Sequence, residues 1–528
     1  MSADLLLVAG TVRTMVDERP LARAVAVTGG GISGLDDDAI ALWGPATEVV
    51  DLGDGVLLPS FGDGHIHPLW GGVELDWAPV RACASVAEVL DVVRRYAAER
   101  PHDTWILGGS YSPSLTADGI FDATWLDTAV ADRPVLLEAS DHHCAWVNSA
   151  ALRLAGIDER TPDPPSGTIA RRADGTPIGT LVEWSAVDLV RRLVPPPTEA
   201  QRRAGLLAAA RLLAASGVTW LQEAAASVED LRTYLAVSGE LPIRANVALR
   251  ADPGRWRDDL PRFVAARDEA SDGVVSARTV KFFADGIIEA GTAAVLQPYL
   301  EPAHSCGLPV WDPAELGEAV AAFDAQGFQA HIHAIGDAGV RVALDAFAHA
   351  ARVNPPRVRR PVIAHTQLID HADLRRFADL GVVANFEPLW HCLEPGLRTL
   401  VLPRLGARAV LHYATGSILR SGARLSFGSD WPVSSYRPLD GLAVAVTRSY
   451  AGGPAWLPEE CVTPRDAWRA YTSGVAHQAF EEDRWGRIAV GCRADLVALA
   501  TDPFGVDPRE WPHLPVTGTW LAGRQTYG

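Results

Sequence analysis

Residues 56–67, VLLPSFGDGHIH, join an apolar run to a pair of histidines and are the most informative stretch of the sequence. The apolar run predicts a buried β-strand. Because side chains two residues apart lie on the same face of a strand, His65 and His67 are able to reach one ion. Neutral imidazole is the commonest nitrogen ligand of zinc and similar divalent metals. On its own the pair is a weak indication of a metal site, since two histidines in a turn give the same pattern.

Three later strand-like segments also end in side chains that bind metals. They carry His331 and His333, again two residues apart, then His365, and finally Asp430. If these segments are strands of one parallel barrel, their carboxyl ends meet at a single mouth, where barrel enzymes have their active sites. Together the placements favour a metal site over a set of unrelated core residues.

Apolar strand-like runs alternate with helical stretches through the middle of the chain, which is typical of an α/β domain with a parallel sheet. The candidate strands are residues 57–67, 135–139, 218–223, 243–249, 279–284, 328–334, 361–366, 382–386 and 425–428. That is one more than a (β/α)8 TIM barrel needs. Residues 135–139 lie in a region without regular alternation, where the turn signal Asp174-Gly175 separates two short strand-like runs. We therefore assign this region to an inserted α+β subdomain and predict the (β/α)8 barrel from the other runs.

Both ends of the chain are rich in short strand-like runs that Gly and Asp turns interrupt. The runs are residues 5–9, 24–28 and 56–58 near the start, and 486–488, 494–499 and 518–521 near the end. They predict one small β-domain built from both termini. The expected division is 1–57 and 481–528 for the β-domain, 58–68 and 199–480 for the barrel, and 69–198 for an insert at the barrel mouth.

Length and charge limit the partners of the chain. Its 528 residues exceed what one compact domain usually holds, and 47 basic against 65 acidic residues give a net charge of −18. This balance disfavours binding to nucleic acid or to anionic membranes.

Cysteine spacing and the apolar runs indicate a compartment. The six cysteines lack CxxC spacing, the N-terminus lacks the basic segment of a signal peptide, and no apolar run is long enough to span a membrane. We expect a soluble cytoplasmic protein that acts on a small molecule, with a homodimer as the default assembly.

The sequence motifs around the candidate residues resemble those of the amidohydrolase superfamily, and most closely its YtcJ-like branch, the amidohydrolase 3 family. The matching words are LPSFGDGHIH (58–67), HCAWVNSAAL (143–152), KFFADG (281–286), HAIGD (333–337), AHTQ (364–367), FGSDWPV (427–433), YTSGVA (471–476) and GRIAVGCRADLVAL (486–499). They follow one another through nearly the whole chain. The resemblance implies a metal-dependent TIM barrel, with a small β-sandwich from both termini and an insert after the first strand.

The resemblance also implies which residues bind the metal. The implied ligands are His65, His67, His333, His365 and Asp430. Lys281 corresponds to a position that is often carbamylated in the superfamily to bridge two metals, although a lone lysine between apolar neighbours also suits a salt bridge. One or two divalent ions are expected, and zinc suits these ligands best.

The expected reaction is hydrolysis of a non-peptide, amide-like C–N bond, such as an N-formyl or N-acyl bond, by metal-activated water. Asp430 is the expected general base and then general acid. An isomerase, a lyase or another hydrolase on the same metal barrel is the alternative within enzymes. A catalytically inactive barrel used for binding is the alternative outside them, and the intact ligand set disfavours it.

Further residues are candidates for contacts with substrate or for support of the site. The candidates for substrate contact are His143, Trp70, Glu387 and Trp431, with Trp390 as a further tryptophan after a strand end. His331 is expected to support a ligand, and Asp285 to hold a loop. Relatives often have Gln-Pro where this chain has Glu387-Pro388. The extra carboxylate either selects a cationic substrate or pairs with an arginine, and we expect the arginine because an unpaired buried carboxylate is costly.

Overall fold

The structure is a computed structural model and describes residues 2–140, 142–165, 167–270, 273–301, 305–449 and 451–528. Its centre is a sheet of eight parallel strands that follow one another in chain order. The strands are β1 (Phe61–Ile66), β2 (Val218–Ala226), β3 (Arg244–Arg250), β4 (Val275–Phe283), β5 (Gln329–Ala334), β6 (Val362–His365), β7 (Val383–Phe386) and β8 (Arg424–Phe427). The predicted (β/α)8 barrel is confirmed.

The barrel closes where β8 meets β1. The N–H of Asp430 donates to the carbonyl of His65 at 2.8 Å, and the Asp63 carboxylate accepts the N–H groups of both His65 and Ser429 at 3.1 Å. Gly428 permits this approach, because a Cβ there would lie 2.7 Å from the backbone nitrogen of His65. The seam therefore brings the start and the end of the barrel sequence together.

Helices cover the outside of the barrel. The main ones are α1 (Glu199–Ala215), α2 (Val228–Ala236), α3 (Trp256–Glu269), α4 (Pro313–Ala325), α5 (Asp337–Val353), α6 (Leu374–Asp379), α7 (Thr415–Arg420) and α8 (Pro438–Thr447). A capping box between Thr198 and Gln201 determines where α1 begins. Leu206, Ala209 and Leu213 of α1 belong to the large apolar cluster between helices and strands.

Strands from both ends of the chain form a second sheet of eight strands. They are Leu5–Arg13, Leu21–Thr28, Gly31–Leu35, Glu48–Asp51, Val56–Pro59, Leu496–Leu499, Val516–Leu521 and Arg524–Tyr527. Val56–Pro59 pairs antiparallel with Leu496–Leu499, which joins the two termini. The predicted long strand 57–67 is in fact divided at Ser60, so its first half belongs to this sheet. The predicted strand 486–488 is wrong, because residues there form a turn in which Gly486 has a φ of 86°.

Residues between β1 and α1 include a five-stranded sheet of their own. Its strands are, in sheet order, Thr168–Arg171, Pro177–Val182, Cys144–Val147, Val135–Ala139 and Ile106–Tyr111. The first two form the hairpin predicted around Asp174-Gly175. The helices Val86–Glu99, Ala123–Asp127, Ser149–Ala155 and Trp184–Arg191 accompany the sheet. Among the described residues, no helix combines the length and apolar character needed to cross a bilayer.

Candidate active site

Two histidines and an aspartate converge at the carboxyl end of the barrel. His65 is the penultimate residue of β1, His67 immediately precedes the short helix Pro68–Glu74, and Asp430 follows β8. Asp430 Oδ1 lies 3.4 Å from His65 Nε2 and 3.1 Å from His67 Nε2. All three residues are buried, and one ligand atom from each lies within 4.8 Å of the others. Two imidazoles and a carboxylate in this arrangement suit a zinc-like divalent ion.

The buried carboxylate oxygen Oδ1 of Asp430 is also a suitable ligand for a cation. In the described part of the chain, Oδ1 of Asp430 is buried and receives no hydrogen bond, although His67 Nε2 is close. Burial alone would lower the pKa of His67, but the carboxylates of Asp430 and Glu223 outweigh it and raise that pKa to about 9. The site therefore attracts positive charge, and a metal ion satisfies Asp430 and both imidazoles at once.

Left-handed backbone at two strand ends shapes the mouth of the barrel. His365 has a φ of 71°, and Asp430 has a φ of 52°. Such conformations cost about 1–3 kcal/mol for residues other than glycine and persist where the surroundings impose them. His365 at the end of β6 and Asp430 just beyond the end of β8 therefore turn the chain sharply where the candidate ligands gather.

Two carboxylates contact the Nδ1 atoms of two of the imidazoles. Glu223 Oε1 contacts His67 Nδ1 at 3.2 Å, and its other oxygen accepts the hydroxyl of Tyr234 at 2.7 Å. Glu387 Oε2 contacts His365 Nδ1 at 2.9 Å. Each contact occupies Nδ1 and leaves Nε2 available for a metal, which is the usual support of a histidine ligand. Glu223 was not among the residues predicted from the sequence, although a lone acid at the end of the apolar run 218–223 was the available signal.

The prediction that Glu387 pairs with an arginine is wrong. Its partner is the imidazole of His365, and Glu387 is buried outside the cavity lining rather than exposed to a substrate. The hydrogen bond with His365, which lies 22 residues earlier in the sequence, offsets the free-energy cost of burying the Glu387 carboxylate.

Glutamine in place of Glu223 is expected to weaken metal binding about 10- to 100-fold, because His67 loses the carboxylate that orients it and increases its basicity. The measurement is competition with a chromophoric chelator. Glu229→Gln is the matched control, since Glu229 lines the same cavity, is exposed and, within the described residues, forms no ion pair with a candidate ligand. Equal metal affinity in both variants would contradict the role of Glu223.

Lys281, His333 and His365 lie beside the three converging residues. Lys281 is fully buried, its Nζ is 3.4 Å from His65 Nε2, and burial lowers its pKa to about 7. Ring centres are 4.7 Å apart for His65 and His365, and 4.6 Å for His333 and His365. The five implied ligands and the lysine are thus neighbours, although His333 and His365 are not part of the tightest group.

Two buried residues support this arrangement as predicted from the sequence. Nε2 of His331 lies 2.9 Å from Nδ1 of His65. The carboxylate of Asp285 accepts N–H groups of Ala294, Ile335 and Gly336, and so holds the loops after β4 and β5.

A cavity of about 780 Å³ opens above these residues. The barrel provides one wall, which includes Trp390, whose ring stacks on His365 with centres 5.5 Å apart. The insert provides the opposite wall with His143 and Trp184. Nδ1 of His143 contacts the carboxylate of Glu183 at 2.8 Å. The volume suits a small organic molecule.

The two remaining predicted tryptophans have different surroundings. Trp70 lines the cavity, and its ring centre is 3.9 Å from that of His142. Trp431 is buried outside the cavity lining, where a Cβ on Gly71 would lie 2.4 Å from its ring. Trp431 therefore packs the helix Pro68–Glu74 against the barrel and does not reach a substrate in the cavity.

Trp431→Ala is expected to lower the free energy of unfolding by about 3–5 kcal/mol, because it removes a large buried ring from a tightly packed contact. Chemical denaturation measures this. Trp390→Ala serves for comparison, since Trp390 is only partly buried at the cavity wall. Equal stability losses in the two variants would show that Trp431 is not a packing residue.

Known proteins resemble the chain over almost its full length. The profile described as "Amidohydrolase family" matches residues 48–527. Protein LONG AFTER FAR-RED 3 of Arabidopsis thaliana is 31% identical over 99% of this chain and 92% of its own length. The putative amidohydrolase YtcJ of Bacillus subtilis (strain 168) is 29% identical, over 98% of each chain.

Two further matches concern an enzyme and a solved structure. The N-substituted formamide deformylase of Arthrobacter pascens is 27% identical over 99% of this chain and 98% of its own. The crystal structure of an uncharacterized metal-dependent hydrolase from Pyrococcus horikoshii ot3 superposes with a TM-score of 0.75 at 22% identity, over 96% of this chain and 99% of that one. At this identity the structural match supports the barrel fold.

Proposed function

This chain belongs to the amidohydrolase family and is a metal-dependent hydrolase, and from that premise we propose that it hydrolyses a non-peptide C–N bond of a small molecule. The observation that carries the proposal is the convergence of His65, His67 and Asp430 beneath the cavity. Carboxylates behind His67 and His365 support it, because they are the usual partners of histidine ligands.

We propose that the site holds one or two divalent ions, most readily zinc. The proposed ligands are His65, His67, His333, His365 and Asp430. Lys281 would supply an oxygen ligand if its neutral amine added to CO2 with loss of a proton to form a carbamate. Its complete burial and its lowered pKa favour the neutral amine that this addition requires.

A divalent ion bound there would lower the pKa of a water to about 7 and polarise a substrate carbonyl. Asp430 accepts the proton of the attacking water as the water oxygen bonds to the carbonyl carbon. The same carboxyl then donates that proton to the nitrogen as the C–N bond breaks, so that an acid and an amine leave. Burial raises the pKa of Asp430, but His67, His365 and Lys281 outweigh it and hold that pKa below its usual value, which keeps the carboxylate ready to accept.

N-formyl and N-acyl compounds are the proposed substrates. The deformylase relative and the tryptophans of the cavity wall support this choice. The test is a screen of metal-loaded protein against N-formyl amines, N-acyl amines and cyclic ureides, with release of the amine and the acid as the readout. Bound metal without release from any compound would favour the alternatives, an isomerase, a lyase or another hydrolase. The cytoplasmic location and the homodimer stay predictions.

A further inference from the structure

Arg250 lies at the end of a barrel strand and on the wall of the cavity. Arg250 is the last residue of β3, and its Cα pairs in register with that of Lys281 on β4. Residues paired across neighbouring parallel strands share a face of the sheet. Arg250 therefore points to the same side as Lys281, and it lines the cavity.

Two aromatic rings from different parts of the chain hold this guanidinium. Its central carbon lies 4.6 Å from the ring centre of Trp184 and 5.0 Å from that of Phe283. Trp184 comes from the insert and Phe283 from β4. The Nε–H donates to Asp252 at 2.8 Å, and within the described residues this is the one hydrogen bond that the Arg250 side chain makes. The rings and Asp252 orient the guanidinium, and its two terminal nitrogens remain available to a ligand.

The arginine is close to the proposed metal centre. The ring of Phe283 separates them, with its centre 5.1 Å from that of His333. On the insert side, the ring of His143 lies 6.0 Å from Trp184 and 6.1 Å from His333. Phe283 thus contacts both the guanidinium of Arg250 and the ring of the candidate ligand His333, so one substrate molecule in the cavity can reach both.

We propose that Arg250 binds a carboxylate of the substrate, so that the preferred substrates are amides with a carboxylate near the scissile bond, such as N-acyl amino acids. This inference rests on the proposed amide hydrolysis. A planar guanidinium with one free edge matches a carboxylate, which accepts two parallel hydrogen bonds. Asp252 and Asp259 also line the cavity and would repel a doubly charged phosphate. Arg262, which also lines the cavity, is already bound to Asp259 at 2.7 Å.

Two probes that share a phenyl ring and differ only in whether they carry a carboxylate or an amide test the assignment by their binding, without requiring turnover. The probes are 3-phenylpropanoate and 3-phenylpropanamide, titrated calorimetrically into metal-loaded protein. Wild type is expected to bind the carboxylate at least about 10-fold more tightly, and Arg250→Gln to lose that preference. Arg255→Gln is the matched control, because Arg255 lines the same cavity, is exposed and forms no aromatic contact among the described residues. It is expected to keep the preference.

A preference that persists in Arg250→Gln would overturn the inference, since the metal alone would then account for carboxylate binding. Wild-type protein that binds both probes equally, or neither, would overturn it as well. Thermal unfolding of each variant shows that the substitution leaves the fold intact, and Arg250→Lys, which retains the charge without the planar fork, is expected to recover only part of the preference.

A turnover assay separates failure of this inference from failure of the proposed function. Formate release is compared for N-formylphenylalanine, as both enantiomers, and for its carboxamide. Arg250→Gln is expected to lower kcat/KM about 30-fold for the acid and less than about threefold for the carboxamide. Equal losses for both would overturn the inference. Carboxylate binding that depends on Arg250, without hydrolysis of any compound in the wider screen, would instead contradict the proposed function.

Discussion

Asparagine in place of Asp430 is expected to lower turnover at least about 1,000-fold while the protein stays folded. The substitution preserves the size of the side chain but removes the group that accepts and returns the proton, and such proton transfer contributes about 100- to 10,000-fold. It also removes a charge from the three-residue group in which Oδ1 lies 3.1 Å from His67. Initial rates on the best substrate of the screen measure the effect.

Metal content must be measured on the same samples, because Asp430 is also a proposed ligand. Asp430→Asn that is refilled with zinc and remains inactive places the loss in proton transfer rather than in metal binding. Glu229→Gln, a charge removal at the rim of the same cavity, is expected to retain wild-type rates. Wild-type activity in Asp430→Asn would remove this residue from the mechanism.

Removal of the metal is expected to abolish activity and to lower the thermal stability of the protein. An ion that binds only the folded chain stabilises it by about 4 kcal/mol at a concentration 1,000 times its dissociation constant. Without a cation, the buried Oδ1 of Asp430 receives no hydrogen bond among the described residues, although it lies close to His65 and His67. Dialysis against a strong chelator, followed by thermal unfolding and activity assays, measures both effects.

Return of zinc is expected to restore activity and melting temperature together. Glu223→Gln is the informative comparison, because it should need a higher zinc concentration for the same recovery. Purified protein with less than about one-tenth equivalent of metal, and no gain on reconstitution, would contradict the enzyme interpretation. The inactive binding barrel would then be the better account.

Local patterns were sufficient to predict the barrel, and the family resemblance then implied the candidate ligands. Strand-like runs alternating with helical stretches indicate a parallel sheet, and the carboxyl ends of such strands meet at one mouth whatever the sequence between them. His65, His333, His365 and Asp430 could therefore be assigned to one mouth from the sequence. The prediction of a strand at 486–488 failed because Gly486 adopts a left-handed turn that composition alone does not specify.

Contacts between distant segments were beyond the reach of those patterns. Glu223 and His67 are 156 residues apart, and no local feature of either segment shows that they pair. Glu387 and Trp431 both follow strand ends, yet one supports His365 and the other packs against Gly71. The direction of a side chain beyond a strand end depends on the backbone turn and on the neighbours that pack there.

By itself, the sequence determined the fold class through its periodicity and the family through its motifs, and from that family it indicated which residues to propose as metal ligands. The tertiary structure alone decided which carboxylates orient the histidines, which tryptophans face the cavity, and that Trp184 of the insert meets Arg250 of the barrel. Those outcomes depend on packing between segments far apart in the chain. Such packing is selected by the free energy of the whole folded molecule rather than by any single stretch of it.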